Sequence, residues 1–318
     1  MDSPGTNIDD SVKALDDVVG LIVERDAPLS KRTTLRIGGP AQILARVQTV
    51  EALAELLRVV HAGSLPLEVF GLGSNVLVPD EGLPGVVCRL EGEFTEFEID
   101  GEEVTAGAGV RLPKLARVTI ASGLLGLEAL SGFPSTVGGA VAMNAGCYGT
   151  EVKDVLLSAQ CLTGRGEPVS VSLDEMRPRY RKTNLSRKGY VVTSARFRLR
   201  RGDADVAAAR IKELNRKRWK ALPTGRPIAG SIFKNPPGDF AGRLVDECGL
   251  RGHRIGGAAI SIEHANVITN EEGARASEVL DLMLLARRQV LERFDVELFP
   301  ELVLLGSLGE HWRRSIAG

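Results

Sequence analysis

Val50, Leu53, Leu57 and Val60 recur at helical spacing and predict an amphipathic helix over residues 50 to 61. Behind it, Leu67-Glu68-Val69-Phe70 predicts a strand that enters Gly71-Leu72-Gly73-Ser74-Asn75, and Val76-Leu77-Val78-Pro79 continues as strand. Short apolar runs between turn residues fill 86 to 107 with strands, including a hairpin at Asp100-Gly101, before a helix near Leu112 to Ser122. Strands follow near Val155 to Leu162 and Val169 to Val171, and Tyr190 to Leu199 closes the first half. Asp203 is placed to cap a helix that turns Ala207, Ile211 and Leu214 inward. A helix from Asp239 to Glu247 stops at Gly249, and Gly256 to Ser261 bends into a strand. Val279, Met283, Ala286, Val290 and Phe294 mark a long helix over Ala276 to Phe294. Val296 to Gly306 reads as a strand kinked at Pro300. The acidic N-terminal stretch shows only a short helical pattern near Val12 to Val23, and Thr33 to Ala41 reads as an extended piece broken at Gly38-Gly39-Pro40.

Strands with interspersed helices and three glycine-dense corners give an α+β chain able to hold one large ligand in its loops. The longest corner, Gly126 to Gly149, has Glu128 as its one charge and no clean period. Its backbone amides need partners, and glycine permits both positive φ and close approach. It therefore reads either as the floor of a site for a ligand rich in acceptor oxygens or as a buried turn-rich connector. Gly71 to Asn75 has the same two readings, an anion-binding nest or a plain turn. It is not the dinucleotide fingerprint, which needs a third glycine and a following helix. Ala106-Gly107-Ala108-Gly109 is the third corner.

The chain of 318 residues has room for two or three domains. Its 40 basic and 41 acidic residues leave a net charge of -1, which gives no reason to expect nucleic acid or an anionic membrane as partner. Aromatics at 4% are too few for base-stacking platforms. Cys88, Cys147, Cys161 and Cys248 show no zinc or redox spacing and suit a reducing compartment as apolar fillers. There is no run of membrane-spanning length and no signal pattern, so a cytoplasmic protein is expected, with no obligate protein partner evident. His264 lacks a second ligand at metal spacing, so no metal is expected.

Two further clusters carry chemistry. Arg177-Pro178-Arg179-Tyr180-Arg181-Lys182-Thr183 is either a solvated cationic face or an anion-facing site. Ala229-Gly230-Ser231-Ile232-Phe233-Lys234-Asn235-Pro236-Pro237-Gly238 sets a hydroxyl, a cation and an amide close together. Read alone, Ser231 is as well a turn cap, Glu301 an edge charge, and Lys234 and Asn235 solvated.

Taken together, Thr34-Leu35-Arg36-Ile37-Gly38-Gly39-Pro40-Ala41, Gly71 to Leu77, the long glycine stretch, Tyr180-Arg181, Ala229 to Pro236, Gly242-Arg243-Leu244, His264-Ala265-Asn266 and Pro300-Glu301 resemble the UDP-N-acetylenolpyruvoylglucosamine reductase family in the family's order. The resemblance runs from about Thr33 to Gly306. It implies an FAD-binding domain of the vanillyl-alcohol-oxidase (PCMH) type in two subdomains, plus a C-terminal α+β substrate-binding domain. Its boundaries fall at 33–200 for the first and 203–306 for the second, after a lead-in at 1–32 and before a polar tail at 307–318. FAD, held without a covalent bond, is implied to contact Arg36, Gly71, Gly73, Ser74, Asn75, Gly107, Pro134, Ser135, Thr136, Gly138, Gly139, Asn144 and Gly146. NADPH is the implied co-substrate, and Tyr180, Lys234 and Asn235 the implied contacts to UDP-N-acetylglucosamine-enolpyruvate. Ser231 matches the family's proton donor to carbon 2. Arg181 and Glu301 match the pair that stabilises the enolic intermediate on the way to UDP-N-acetylmuramate.

The residue chemistry agrees with those roles. Hydride addition at carbon 3 puts charge on carbon 2 and its carboxylate, which calls for preorganised positive charge. A guanidinium stays charged and forks onto a carboxylate. Serine protonates a carbanion-like centre when held close. Glu301 either orients the arginine or stabilises a protonated enol. The chain departs from the family at Ser135, where a glycine is usual, and at Leu222-Pro223, where Gln-Pro is usual. The short span between Arg181 and Ser231 resembles the compact subclass without the tyrosine loop. One rival is an oxygen-using sugar or alcohol oxidase on the same scaffold. Its usual histidine tether to FAD has only His61 to draw on in the first domain, and that residue falls in a predicted helix. A flavin-binding scaffold without activity is the second rival, disfavoured because a mere binder needs none of Ser231, Arg181 and Glu301.

Overall fold

In the strand Val191–Arg198, Val191, Thr193, Ala195 and Phe197 are buried while Arg196 and Arg198 face solvent. That alternation makes it the centre of a five-stranded antiparallel sheet in the computed structural model, which describes residues 13–316. The sheet order is Pro168–Ser172, Leu156–Leu162, Val191–Arg198, Glu103–Gly107, Phe97–Asp100. Asp100 pairs with Glu103 across the expected hairpin. Val104, Ala106, Ala159, Cys161 and Phe197 pack from this sheet onto the helices Leu112–Ala121 and Val137–Ala142. A second core gathers Leu53, Leu56 and Leu57 of the helix Val50–Ala62 against Ile43, Ala45, Val86 and Cys88. Leu67–Phe70 runs parallel to Leu83–Leu90 there. These two cores correspond to the two expected subdomains. All four cysteines are free, and burial pushes the Cys88 and Cys161 thiols up to about 12, so both stay protonated fillers.

By packing, the chain forms two units, one of Met1–Arg25, Ile43–Gly71 and Gly85–Asn215, the other of Asp26–Gln42, Leu72–Pro84 and Arg216–Gly318. This differs from the linear boundary expected near residue 200. Leu35, Ile37 and Leu77 bury in the same core as Phe233, Leu244 and Met283, so two early segments fold with the C-terminal third. Val76–Leu77 pairs in parallel with Val303–Leu304, and Asn270 Nδ2 donates to Leu35 O at 3.0 Å. Strands Arg254–Ile255, Ala258–Ile260 and Ile268–Asn270 form the antiparallel sheet under the helix Ala276–Phe294.

Several local expectations change. The polar tail is a helix, Ser307–Ile316, because Leu308 and Trp312 lie four residues apart and both bury, Trp312 with its ring 6.2 Å from that of Phe233. Of the strand expected over Val296 to Gly306, only Val303–Leu304 pairs, with an isolated bridge from Pro300 to Phe233; proline has no N–H to extend a ladder. The expected helix near Val12 to Val23 is limited to residues 13–16, and the strand Leu21–Pro28 takes over; Val12 lies outside the described residues. Thr33 to Ala41 starts as a turn, with Arg36 N donating to Thr33 O and Arg36 itself left-handed at φ 55.

The long helix is capped from a distant segment. Asp80 accepts from Ala276 N at 2.7 Å, Ser277 N at 3.1 Å and Ser277 Oγ at 2.9 Å. Burial alone would raise the Asp80 pKa, but these donors and Arg275 outweigh it and hold the carboxyl below its ordinary value. A depressed folded pKa gives stability that is fully present above the unfolded carboxylate value and is lost as pH falls through the folded one. Asp80→Ala is therefore expected to cost about 1 kcal/mol at neutral pH, roughly 2–4 °C in Tm. The gap to the parent protein should narrow below about pH 4, since only the parent then loses its carboxylate. Thermal melts at both pH values check this; a gap independent of pH would remove the charge from the cap.

Candidate active site

In the C-terminal unit the segment Gly230 to Lys234 is held from two places. Ile232 N donates to Asn266 O at 3.0 Å, Phe233 N to Asn266 Oδ1 at 2.9 Å, and Asn266 Nδ2 to Phe233 O at 2.8 Å. Glu301 N donates to Ile232 O and Lys234 N to Phe299 O, each at 2.9 Å. Phe233, fully buried, anchors the segment. Ser231 is half-buried on the wall of a cavity of about 410 Å³, with Asn235, Phe240, Arg243, Arg251 and His264 around it.

The wall is electrostatically organised. Arg251 forks onto Asp246 at 2.5 and 2.8 Å, and Arg243 forks onto Asp239. His264 Nδ1 accepts Asn266 N–H at 3.2 Å, which leaves Nε2 as the donor nitrogen of the neutral ring. Burial, followed by Arg251 and Arg218, pushes the His264 pKa below its ordinary value and favours that neutral form. Asn235 Oδ1 caps the helix Ala241–Glu247 by accepting from Ala241 N at 3.1 Å, so its NH₂ is the part left for a ligand.

Leu72 to Asn75 of the Gly-x-Gly-Ser-Asn loop belong to this same unit. Its carbonyls at Gly73, Ser74 and Asn75 accept from Thr34 N (3.1 Å), Gly230 N (3.0 Å) and Val303 N (3.0 Å). Asn75 Nδ2 donates to Glu301 O at 3.0 Å, so the loop steadies the Glu301 backbone as well. The amides of Leu72 and Gly73 have no acceptor among the described residues, and the buried Thr34 hydroxyl has no partner. Such donors fit the acceptor-rich phosphates and ring of FAD. A Cβ at Gly73, where φ is +63, would lie 2.2 Å from Arg32 O, so glycine is required there by the chain itself.

In the first unit, Arg179 and Lys182 exchange N–H···O bonds of 2.8 and 3.0 Å, placing Tyr180 and Arg181 at the tip of a tight turn. Arg181 is left-handed, at φ 55, and its guanidinium carbon lies 4.8 Å from the Tyr180 ring centre. Asn144, buried and left-handed at φ 43, donates Nδ2 to Arg179 O at 3.1 Å and accepts Lys153 N at 3.0 Å on Oδ1. Its amide therefore holds the arginine turn. Gly146 lies beneath it, where an added Cβ would sit 3.3 Å from Arg181 Nη1 and 2.8 Å from Glu151 Cγ.

The glycine corners are partly structural. A Cβ at Gly71 would meet Thr136 Oγ1 at 2.6 Å, at Gly107 Phe94 O at 2.2 Å, and at Gly138 Ala108 Cβ at 2.8 Å. Val137, Gly138 and Gly139 donate to Val110 O, Ala108 O and Thr136 Oγ1. These amides are satisfied within the protein, as the connector reading allows. Gly139 has only ordinary contacts, Ser135 Oγ donates to Thr136 O at 2.9 Å, and Pro134 is exposed.

Of the expected site residues, Arg36, Gly73, Ser74, Asn75, Ser231, Lys234, Asn235 and Glu301 fall in the second unit, and the others in the first. The structure ties Ser74 to Gly230, and both Asn75 and Ile232 to Glu301, within one unit. Asn266 and Thr34 were quoted in the motifs without any role. For Asn266, between Ala265 and Val267, the signal is a polar residue set among apolar ones, which acquires meaning only once burial is known; nothing in the sequence around Thr34 marks it.

Residues 222–305 match the family model described as UDP-N-acetylenolpyruvoylglucosamine reductase, C-terminal domain, and residues 41–172 match an FAD binding domain. The chain is 46% identical over 285 residues to the UDP-N-acetylenolpyruvoylglucosamine reductase of Anaeromyxobacter sp. (strain Fw109-5), covering 89% of each chain. It is 39% identical to that of Bacillus velezensis, covering 91% of this chain and 95% of the relative. The crystal structure of the Thermus caldophilus reductase is similar with a TM-score of 0.79 at 41% identity, covering 90% of this chain and all of that one.

Proposed function

The chain belongs to the UDP-N-acetylenolpyruvoylglucosamine reductase family, and from that premise we propose that Ser231, Arg181 and Glu301 carry its chemistry. The reaction is the FAD-dependent, NADPH-driven reduction of UDP-N-acetylglucosamine-enolpyruvate to UDP-N-acetylmuramate, a peptidoglycan precursor. FAD, when bound and reduced by NADPH, would supply the hydride for carbon 3 of the enolpyruvyl double bond. The Ser231 hydroxyl gives its proton to carbon 2, completing the two-electron reduction, and regains a proton from solvent. Arg181 would offset the charge that grows on the substrate carboxylate. Glu301 stabilises the enolic form.

Arg36, Gly71, Gly73, Ser74, Asn75, Gly107, Pro134, Ser135, Thr136, Gly138, Gly139, Asn144 and Gly146 are the residues that would hold FAD. Lys234 and the Asn235 NH₂ take the substrate diphosphate, and Tyr180 is a further substrate contact. We place the protein in the cytoplasm with its nucleotide substrates; among the described residues no helix is long and apolar enough to cross a membrane.

The observation that carries the residue assignment is the strap at Ile232. Ile232 N–H donates to Asn266 O and its C=O accepts Glu301 N–H, which ties the backbone next to Ser231 to the backbone of Glu301. The test is NADPH oxidation by the purified flavoprotein with the UDP-sugar enol ether, each component omitted in turn. Oxidation should require both, with UDP-N-acetylmuramate as product. Oxidation dependent on dioxygen instead of the UDP-sugar would favour an oxidase.

A further inference from the structure

We infer that Asn266 is the positioning residue of Ser231, holding its hydroxyl at the height from which it protonates the substrate. Asn266 is 3% exposed, and each polar group it carries is engaged. Its side-chain amide pairs with both the N–H and the C=O of Phe233, as a neighbouring strand would. Its carbonyl accepts the Ile232 N–H, and its own N–H donates to His264 Nδ1. One residue thus fixes the backbone of the two residues that follow Ser231 and also selects the tautomer of a histidine on the same cavity wall.

The position is specific for asparagine. Aspartate has the same shape but no N–H for Phe233 O, and a shorter side chain reaches neither group. An unpaired buried backbone polar group is disfavoured strongly enough to shift the segment. Because Ser231 reaches the wall from this backbone, a shift of about 1 Å moves the hydroxyl out of proton-transfer range. Ser231 Oγ itself makes no bond with Asn266, so the effect runs through the backbone.

The inference rests on Ser231 being the proton donor, and the experiment separates the two. Asn266→Asp, Asn266→Ser, Ser231→Ala and the double variant Ser231→Ala/Asn266→Ser are purified with flavin, and both half-reactions are followed anaerobically. In the Asn266 variants, flavin reduction by NADPH should match wild type, while reoxidation by the UDP-sugar slows on the order of 10- to 100-fold. In the Ser231→Ala background, Asn266→Ser should add little, because the group it positions is gone. Full additivity, equal slowing of both half-reactions, or wild-type reoxidation in either folded Asn266 variant would overturn the inference. So would failure of both variants to fold, which would make Asn266 part of the frame only. If Ser231→Ala itself reoxidises normally, the proton-donor assignment fails first.

Discussion

Replacing Ser231 with alanine is expected to lower turnover roughly 10²–10³-fold while flavin content and reduction by NADPH stay as in wild type. The residue is half-buried on a cavity wall, and its backbone is fixed by Asn266, Glu301 and, through Gly230, by Ser74. Removing one oxygen leaves that frame intact, because none of the frame's hydrogen bonds uses the hydroxyl. The loss should therefore fall on kcat, with KM for the UDP-sugar little changed, the pattern of a group that acts in the transition state. Steady-state kinetics with matched flavin content decides it. Near-normal kcat removes Ser231 from the mechanism.

Arg181→Gly should lose a similar 10²–10³ in turnover and yet be no less stable than the parent. A non-glycine residue in the left-handed region carries strain of about 1–3 kcal/mol. Arg181 sits there at φ 55, at the tip of a tight turn. Glycine relieves the strain, offset by about 0.5–1 kcal/mol of extra freedom in the unfolded chain. Both variants lose the packing on Tyr180, but Arg181→Ala also keeps the strain, so its Tm should lie below that of Arg181→Gly. Opposite trends in stability and turnover are the signature of strain kept for function. They are read by calorimetry beside kinetics. If Arg181→Gly melts well below the parent, the strain account fails; if it turns over normally, the catalytic one does.

Much of the molecule was legible as pattern. Leu67–Phe70, the helix Ala276–Phe294 and the hairpin at Asp100 follow from local periodicity and turn chemistry, which act within a few residues. The motif residues Ser231, Glu301 and Arg181 were found through resemblance, and their surroundings were not. Asn75 was expected at the flavin alone, yet its side chain also holds the backbone of a residue 226 positions away. Leu35 and Leu77 looked like parts of the first domain, because nothing local says which core they will enter. The glycines at 71, 107 and 138 fit either a ligand floor or a buried connector in sequence, and close protein neighbours require glycine there whichever holds. Trp312 was hidden in a polar stretch because two buried positions make too short a period to stand out.

We propose that this chain reduces an enolpyruvyl UDP-sugar by a hydride from flavin and a proton from Ser231. The most direct test is a single turnover without dioxygen, in which pre-reduced enzyme free of NADPH is mixed with UDP-N-acetylglucosamine-enolpyruvate. The wild type should regain its oxidised flavin spectrum as one equivalent of UDP-N-acetylmuramate forms, and Ser231→Ala should do so roughly 10²–10³-fold more slowly. A flavin that stays reduced in the wild type, or equal rates in the two proteins, would contradict it.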